Sequence, residues 1–136
     1  MFQIQQIDHL VLRVQDLPRM LEFYRDVVGC SIEKRRDDLG LVHLRAGRSM
    51  IDFISVTGKL GQMGGAAPDA EGRNLDHLCL RVEPFDAEAL RAHLQTHGVT
   101  TTEVSSNFGA EGDGPSFYFE DPEGNTIEFK GAPWPS

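Results

Sequence analysis

Polar and apolar residues alternate along IDHLVLRV at residues 7–14, and again along LDHLCLRV at residues 75–82. Such alternation predicts strands with one apolar face. Leu10, Leu12 and Val14, or Leu78, Leu80 and Val82, share that face. His9, Val11 and Arg13, or His77, Cys79 and Arg81, share the opposite one. After each strand the apolar period lengthens to that of a helix. In DLPRMLEFYRDVVG the stripe is Leu17, Met20, Leu21, Tyr24 and Val27 or Val28, with Asp16 as N-cap, Pro18 near the first helical position and Gly29 as terminator. PFDAEALRAHLQTHG repeats the design and ends at Gly98.

Three strands then fit each copy: 30–35, 41–45 and 50–56 in the first, 99–104, 116–120 and 125–130 in the second. RDDLG, AGRS and DPEGN supply turns. The chain is therefore expected to be α+β, two βαβββ modules over residues 5–56 and 74–131. TGKLGQMGGAAPDAEGRN, residues 57–74, is Gly-rich and aperiodic, and predicts a mobile linker over residues 57–73. NFGAEGDGP, residues 107–115, predicts a loop.

His9 and His77 stand 68 residues apart, half of the 136-residue chain. The last strands agree too. MIDFI (50–54) and TIEFK (126–130) each place an acid between Ile and Phe. Each module thus offers one histidine and one carboxylate: His9 and Asp52, His77 and Glu128. Two imidazoles and two carboxylates suit a divalent Zn, Ni, Co, Fe or Mn ion and leave positions open for substrate. Common ancestry without shared chemistry produces the same repeat, so the residues alone leave both accounts standing. Arg13 and Arg81 are either solubilising charges or anion-binding groups. Cys79 reads as a small packing residue. His43, His93 and His97 read as inert.

Composition narrows the partners. The net charge of −8 excludes a basic nucleic-acid footprint. No stretch approaches the ~18 apolar residues of a membrane span, and MFQIQQIDHL lacks the basic region of a secretory signal. Two unspaced cysteines, Cys30 and Cys79, give no disulfide framework. A cytoplasmic protein is expected.

DHLVLRVQDLPRMLEFYRDVVGC, MIDFI, DHLCLRV and FYFEDPEGNTIEFK resemble the vicinal oxygen chelate superfamily, which includes glyoxalase I, bleomycin resistance proteins and extradiol dioxygenases. The resemblance covers nearly the whole chain. It implies paired βαβββ modules whose curved sheets enclose one divalent metal, held by His9, Asp52, His77 and Glu128, and it implies a homodimer. Within the superfamily the chain is most similar to glyoxalase I, a lyase that isomerises the hemithioacetal of a 2-oxoaldehyde by metal-stabilised enolisation. That likeness implies Glu128 as the base, Arg13 as a substrate contact with Arg81 in the matching place, and a thiol-conjugated substrate. Two positions depart from glyoxalase I: Asp52 replaces a longer Glu, and Val56 replaces an Asn that contacts glutathione. Tyr118 stands where extradiol dioxygenases carry an active-site tyrosine, but their acid–base histidines have no counterpart in residues 58–76 or 98–128. A non-catalytic antibiotic-binding module is the remaining alternative.

Overall fold

A computed structural model describes all residues, 1–136. The chain divides into two units, Met1–Asn74 and Leu75–Ser136, each a four-stranded mixed sheet with a helix on one face. In the first unit, β1 (His9–Val14) leads into α1 (Leu17–Phe23), then β2 (Ser31–Arg36), β3 (Leu41–Ala46) and β4 (Ser49–Ser55). In the second, β5 (Leu78–Arg81) leads into α2 (Ala87–Thr96), then β6 (Ser105–Gly109), β7 (Gly112–Glu120) and β8 (Thr126–Lys130). The sheet orders match: β1-β4-β3-β2 and β5-β8-β7-β6. First and last strands run parallel and the rest antiparallel, so each unit is one βαβββ module.

Strand parity decides what is buried. Leu12, Val14, Val42, Leu44, Ile51 and Phe53 share one face and meet Met20, Leu21, Tyr24 and Val27 of the helical segment. Tyr24 stands edge-on to Phe53 with ring centroids 4.9 Å apart. The Asp16 carboxylate accepts from the Arg19 amide and starts α1. A π-helical turn, Tyr24–Val28, widens the end of the helix before Gly29 closes it at φ 96°. In the second unit Phe117, Phe119, Ile127, Phe129 and Leu94 are the core. Phe129 touches Phe119 and Phe117 edge-on at 4.8 and 5.9 Å. Neither helix is long and apolar enough to cross a membrane.

The structure differs from the sequence expectation in two segments. Residues 99–104 form no strand; Thr102 donates its amide to the Tyr118 carbonyl and accepts the Tyr118 amide on its hydroxyl. Instead β6 begins at Ser105, and the stretch expected as a loop is a tight hairpin turning between Gly109 and Gly112. The glycines there make room rather than flexibility. A Cβ on Gly109 would lie 2.9 Å from Lys130 Cε, and one on Gly114 would lie 2.6 Å from the Ala132 carbonyl.

The second difference is the Gly-rich segment, which belongs to the first unit and contains a 3-10 turn, Gly61–Gly64. It is tied down by Arg13. The guanidinium donates to the carbonyls of Ala66, Gly61 and Gly65 at 2.8, 2.9 and 2.9 Å. Asn74 bridges the Arg13 backbone on both sides, accepting its amide and donating to its carbonyl. A Cβ on Gly64 would sit 2.7 Å from Arg13 Nε, and one on Gly61 would collide with the Ser55 carbonyl. Glycine is needed because the arginine and the backbone come this close.

Two measurements check this packing. Phe129→Ala should cost about 3–5 kcal/mol by denaturant unfolding, whereas Phe108→Ala, at a side chain 82% exposed, should cost under about 0.5 kcal/mol. Arg13→Ala should speed hydrogen exchange in residues 57–74 by roughly tenfold or more, with β3 and β4 unchanged.

Candidate functional site

The polar face of each sheet carries the residues singled out in the sequence. In the first unit Asp52 lies on β4, flanked by Val11 of β1 and His43 of β3. In the second, Glu128 lies on β8, flanked by Cys79 of β5 and Tyr118 of β7. Both acids sit on interior strands and are buried, Asp52 5% and Glu128 4% exposed. Asp52 Oδ1 and Glu128 Oε2 are the buried side-chain oxygens or nitrogens in the chain that lack a hydrogen-bond partner. A buried carboxylate oxygen in that condition is costly unless a hydrogen-bond donor, a proton or a cation meets it.

The histidines are held from behind. His9 Nδ1 lies 2.7 Å from Asp8 Oδ1, and His77 Nδ1 lies 2.7 Å from Asp76 Oδ2. A carboxylate on Nδ1 fixes the tautomer and turns the Nε2 lone pair outward, as metal-binding histidines require. The Asp8 hydrogen bond also raises the pKa of His9 above its ordinary value, with a smaller contribution from Asp52. In the second unit His77 Nε2 lies 3.3 Å from Glu128 Oε1. The sequence reading named the histidines and missed their aspartates. The signal was in the repeat itself, since each copy reads Asp-His.

His43, read as inert, stands directly across from Asp52, its Nδ1 3.1 Å from Oδ1. The contact is an ion-pair approach rather than an aligned hydrogen bond, and Oδ1 has no hydrogen-bond partner. Tyr118 holds the matching place against Glu128, its ring edge-on to His77 at 5.7 Å. Desolvation, then the Glu128 charge, pushes the Tyr118 hydroxyl up from its ordinary pKa. The same two causes push the Cys79 thiol up to about 11.

The arginines make contacts that their strand positions alone do not show. Arg13 spends its side-chain donors on the carbonyls of residues 61, 65 and 66. Arg81 donates to Glu111 at 2.8 Å and to the Val82 carbonyl at 2.6 Å, and pairs with Glu83 at 2.9 Å. A strand position shows which face a cation occupies, not which distant loop or acid returns to meet it.

The donor types, two imidazoles and two carboxylates, fit a divalent ion. The two unpartnered oxygens supply the structural reason. No group of three or more His, Cys, Asp or Glu is gathered to hold an ion: His77 meets Glu128 within the second unit, and the four donors named from the sequence are not brought together. The Glyoxalase/Bleomycin resistance protein/Dioxygenase superfamily profile matches residues 6–129.

The chain belongs to that superfamily.

Its fold recurs in other solved proteins. An integron cassette protein from V. Cholerae is 28% identical, with 96% of this chain and 98% of that chain covered and a TM-score of 0.74. A lactoylglutathione lyase from Agrobacterium tumefaciens is 20% identical over 94% of each chain, TM-score 0.68. TnmS3, an antibiotic binding protein from Streptomyces sp. CB03234, is 18% identical over 97% of this chain and 99% of that one, TM-score 0.68. At these last two identities the likeness concerns the fold. This superfamily member thus shares its architecture with both a lyase and a binding protein.

Peptide-resolved alkylation tests the electrostatics of this face. At pH 8 Cys79 should have a thiolate fraction on the order of a hundredth that of an unperturbed thiol, and its alkylation should be correspondingly slow. Glu128→Gln should speed it, because that charge is one cause of the shift.

Proposed function

We propose that this protein is a divalent-metal-dependent, glyoxalase-like lyase or isomerase, acting in the cytoplasm on a small carbonyl such as a 2-oxoaldehyde hemithioacetal. The observation that carries the reading is the pair of buried, unpartnered carboxylate oxygens, on Asp52 and Glu128. Beside Glu128 the imidazole is His77; His9 lies near enough to Asp52 to sense its charge. His9, Asp52, His77 and Glu128 would hold the ion, Ni, Zn, Co, Mn or Fe. Because each module offers one pair, a homodimer is as able to complete the set as a single chain.

The ion, when bound, supplies a Lewis acid that polarises a carbonyl oxygen and favours enolisation. The chain supplies the proton transfer. Glu128 takes a proton from the carbon beside the carbonyl and returns it to the adjacent carbon, work that needs a carboxylate within hydrogen-bond reach of both. Its burial excludes water that would compete for the proton. Tyr118, beside Glu128, contacts the substrate and keeps it against the base. Arg13 and Arg81 are the cations proposed to hold an anionic part of the substrate, from places where they also bind the segment at 57–74 and the acids Glu83 and Glu111.

Tyr118 next to His77 and Glu128 also favours a second reading, an iron-dependent ring-cleaving dioxygenase. One set of assays separates the two. The purified chain should carry or take up one divalent ion and convert the methylglyoxal–glutathione hemithioacetal to lactoylglutathione. Glu128→Gln should lower kcat by about 10²–10⁴-fold while the protein stays folded. Bound iron with oxygen uptake on catechols, and no lactoylglutathione, moves the assignment to the dioxygenase. A chain that takes up none of these metals excludes both.

A further inference from the structure

We infer that His43 is a positioning residue for Asp52 in divalent-metal binding. This rests on the metal-dependent reading above. Asp is one methylene shorter than Glu, so Asp52 reaches less far from β4 than Glu128 reaches from β8. The first unit places an imidazole where the second places a phenol. His43 and Asp52 are direct neighbours across the β3–β4 pair, and Nδ1 lies 3.1 Å from Oδ1. Asp52 is 5% exposed and Oδ1 has no aligned donor, so His43 is the group at hand to fix which way that carboxylate turns.

The hairpin makes the brace rigid. Ala46 pairs with Ser49, leaving Gly47 and Arg48 as a two-residue turn with Gly47 at φ 62°. That turn fixes the register and therefore the His43–Asp52 pairing. His43 keeps its ring only partly exposed, 26% at the side chain, with Leu41 and Arg45 as same-face neighbours on its strand. A ring so confined, against a short acid, limits the acid's rotamers. Ligating carboxylates lose affinity when such supports are removed, typically by 10–100-fold.

The test is metal affinity rather than turnover. Co²⁺ is titrated into the wild type and into His43→Phe, His43→Asn, His43→Gln and Asp52→Asn, followed by calorimetry and by the visible Co²⁺ bands, with circular dichroism to confirm folding. His43→Phe should bind Co²⁺ about 10–100-fold more weakly. His43→Asn should keep most of the affinity, because its amide nitrogen replaces Nδ1. His43→Phe combined with Asp52→Asn should be no weaker than Asp52→Asn alone. Equal affinity in wild type, His43→Phe and His43→Asn overturns the inference and leaves the metal reading intact. Loss in His43→Asn with retention in His43→Gln overturns it too, since that pattern makes Nε2 a direct ligand. A wild type that binds no Co²⁺, Zn²⁺ or Ni²⁺ overturns the metal reading and this inference with it.

Discussion

A carboxyl group in the middle of a sheet has lost its water, and something else must meet its oxygens. Asp52 and Glu128 both sit in that position, on the strands that lie between two others. Their neighbours satisfy them incompletely, and one oxygen of each is left over. The other features of the polar faces follow from this. The histidines are held at Nδ1 by aspartates, the opposing ring is an imidazole in one unit and a phenol in the other, and the flanking thiol is pushed toward neutrality. An apolar pair of the same size at 52 and 128 would pack more cheaply. Retaining two under-satisfied acids at matched register makes sense if a cation completes them.

The two units reach the same topology with different supports. The first has a smaller acid, an imidazole opposite it, and a glycine-rich segment clamped by Arg13. The second has a longer acid, a tyrosine opposite it, and an aromatic core in place of an aliphatic one. A buried lysine, Lys130, crosses the β6–β7 hairpin and donates to the Gly112 carbonyl. Gly109 leaves room for the lysine stem, and Gly114 for the Ala132 carbonyl and the lysine's amino group. The repeat conserves strand order and the histidine–acid pair, and varies what braces them.

Much of this was legible in the sequence. The period-two pattern of IDHLVLRV assigns Leu12 and Val14 to the core and His9 to the other face, because strand geometry leaves no choice. The superfamily was legible as a resemblance carried by DHLVLRVQDLPRMLEFYRDVVGC, MIDFI, DHLCLRV and FYFEDPEGNTIEFK. What stayed hidden depends on contacts between distant residues. The strand position of Arg13 does not show that the segment 48–53 positions later folds back onto it. Residues 107–115 look like a loop because glycine marks both flexibility and close approach, and only the position of Lys130 tells them apart. His43 was recoverable: a two-residue turn at Gly47–Arg48 dictates that residue 43 faces residue 52.

The most direct test of the central claim is a crystal structure of the protein grown with Zn²⁺ or Co²⁺, read by anomalous scattering at the metal edge. The account predicts a single strong site with Asp52 Oδ1 and Glu128 Oε2 among its ligands, at the roughly 2.0–2.2 Å of metal–carboxylate bonds. Metal found only at surface carboxylates or on His93 and His97, with both buried oxygens still unligated, would contradict it.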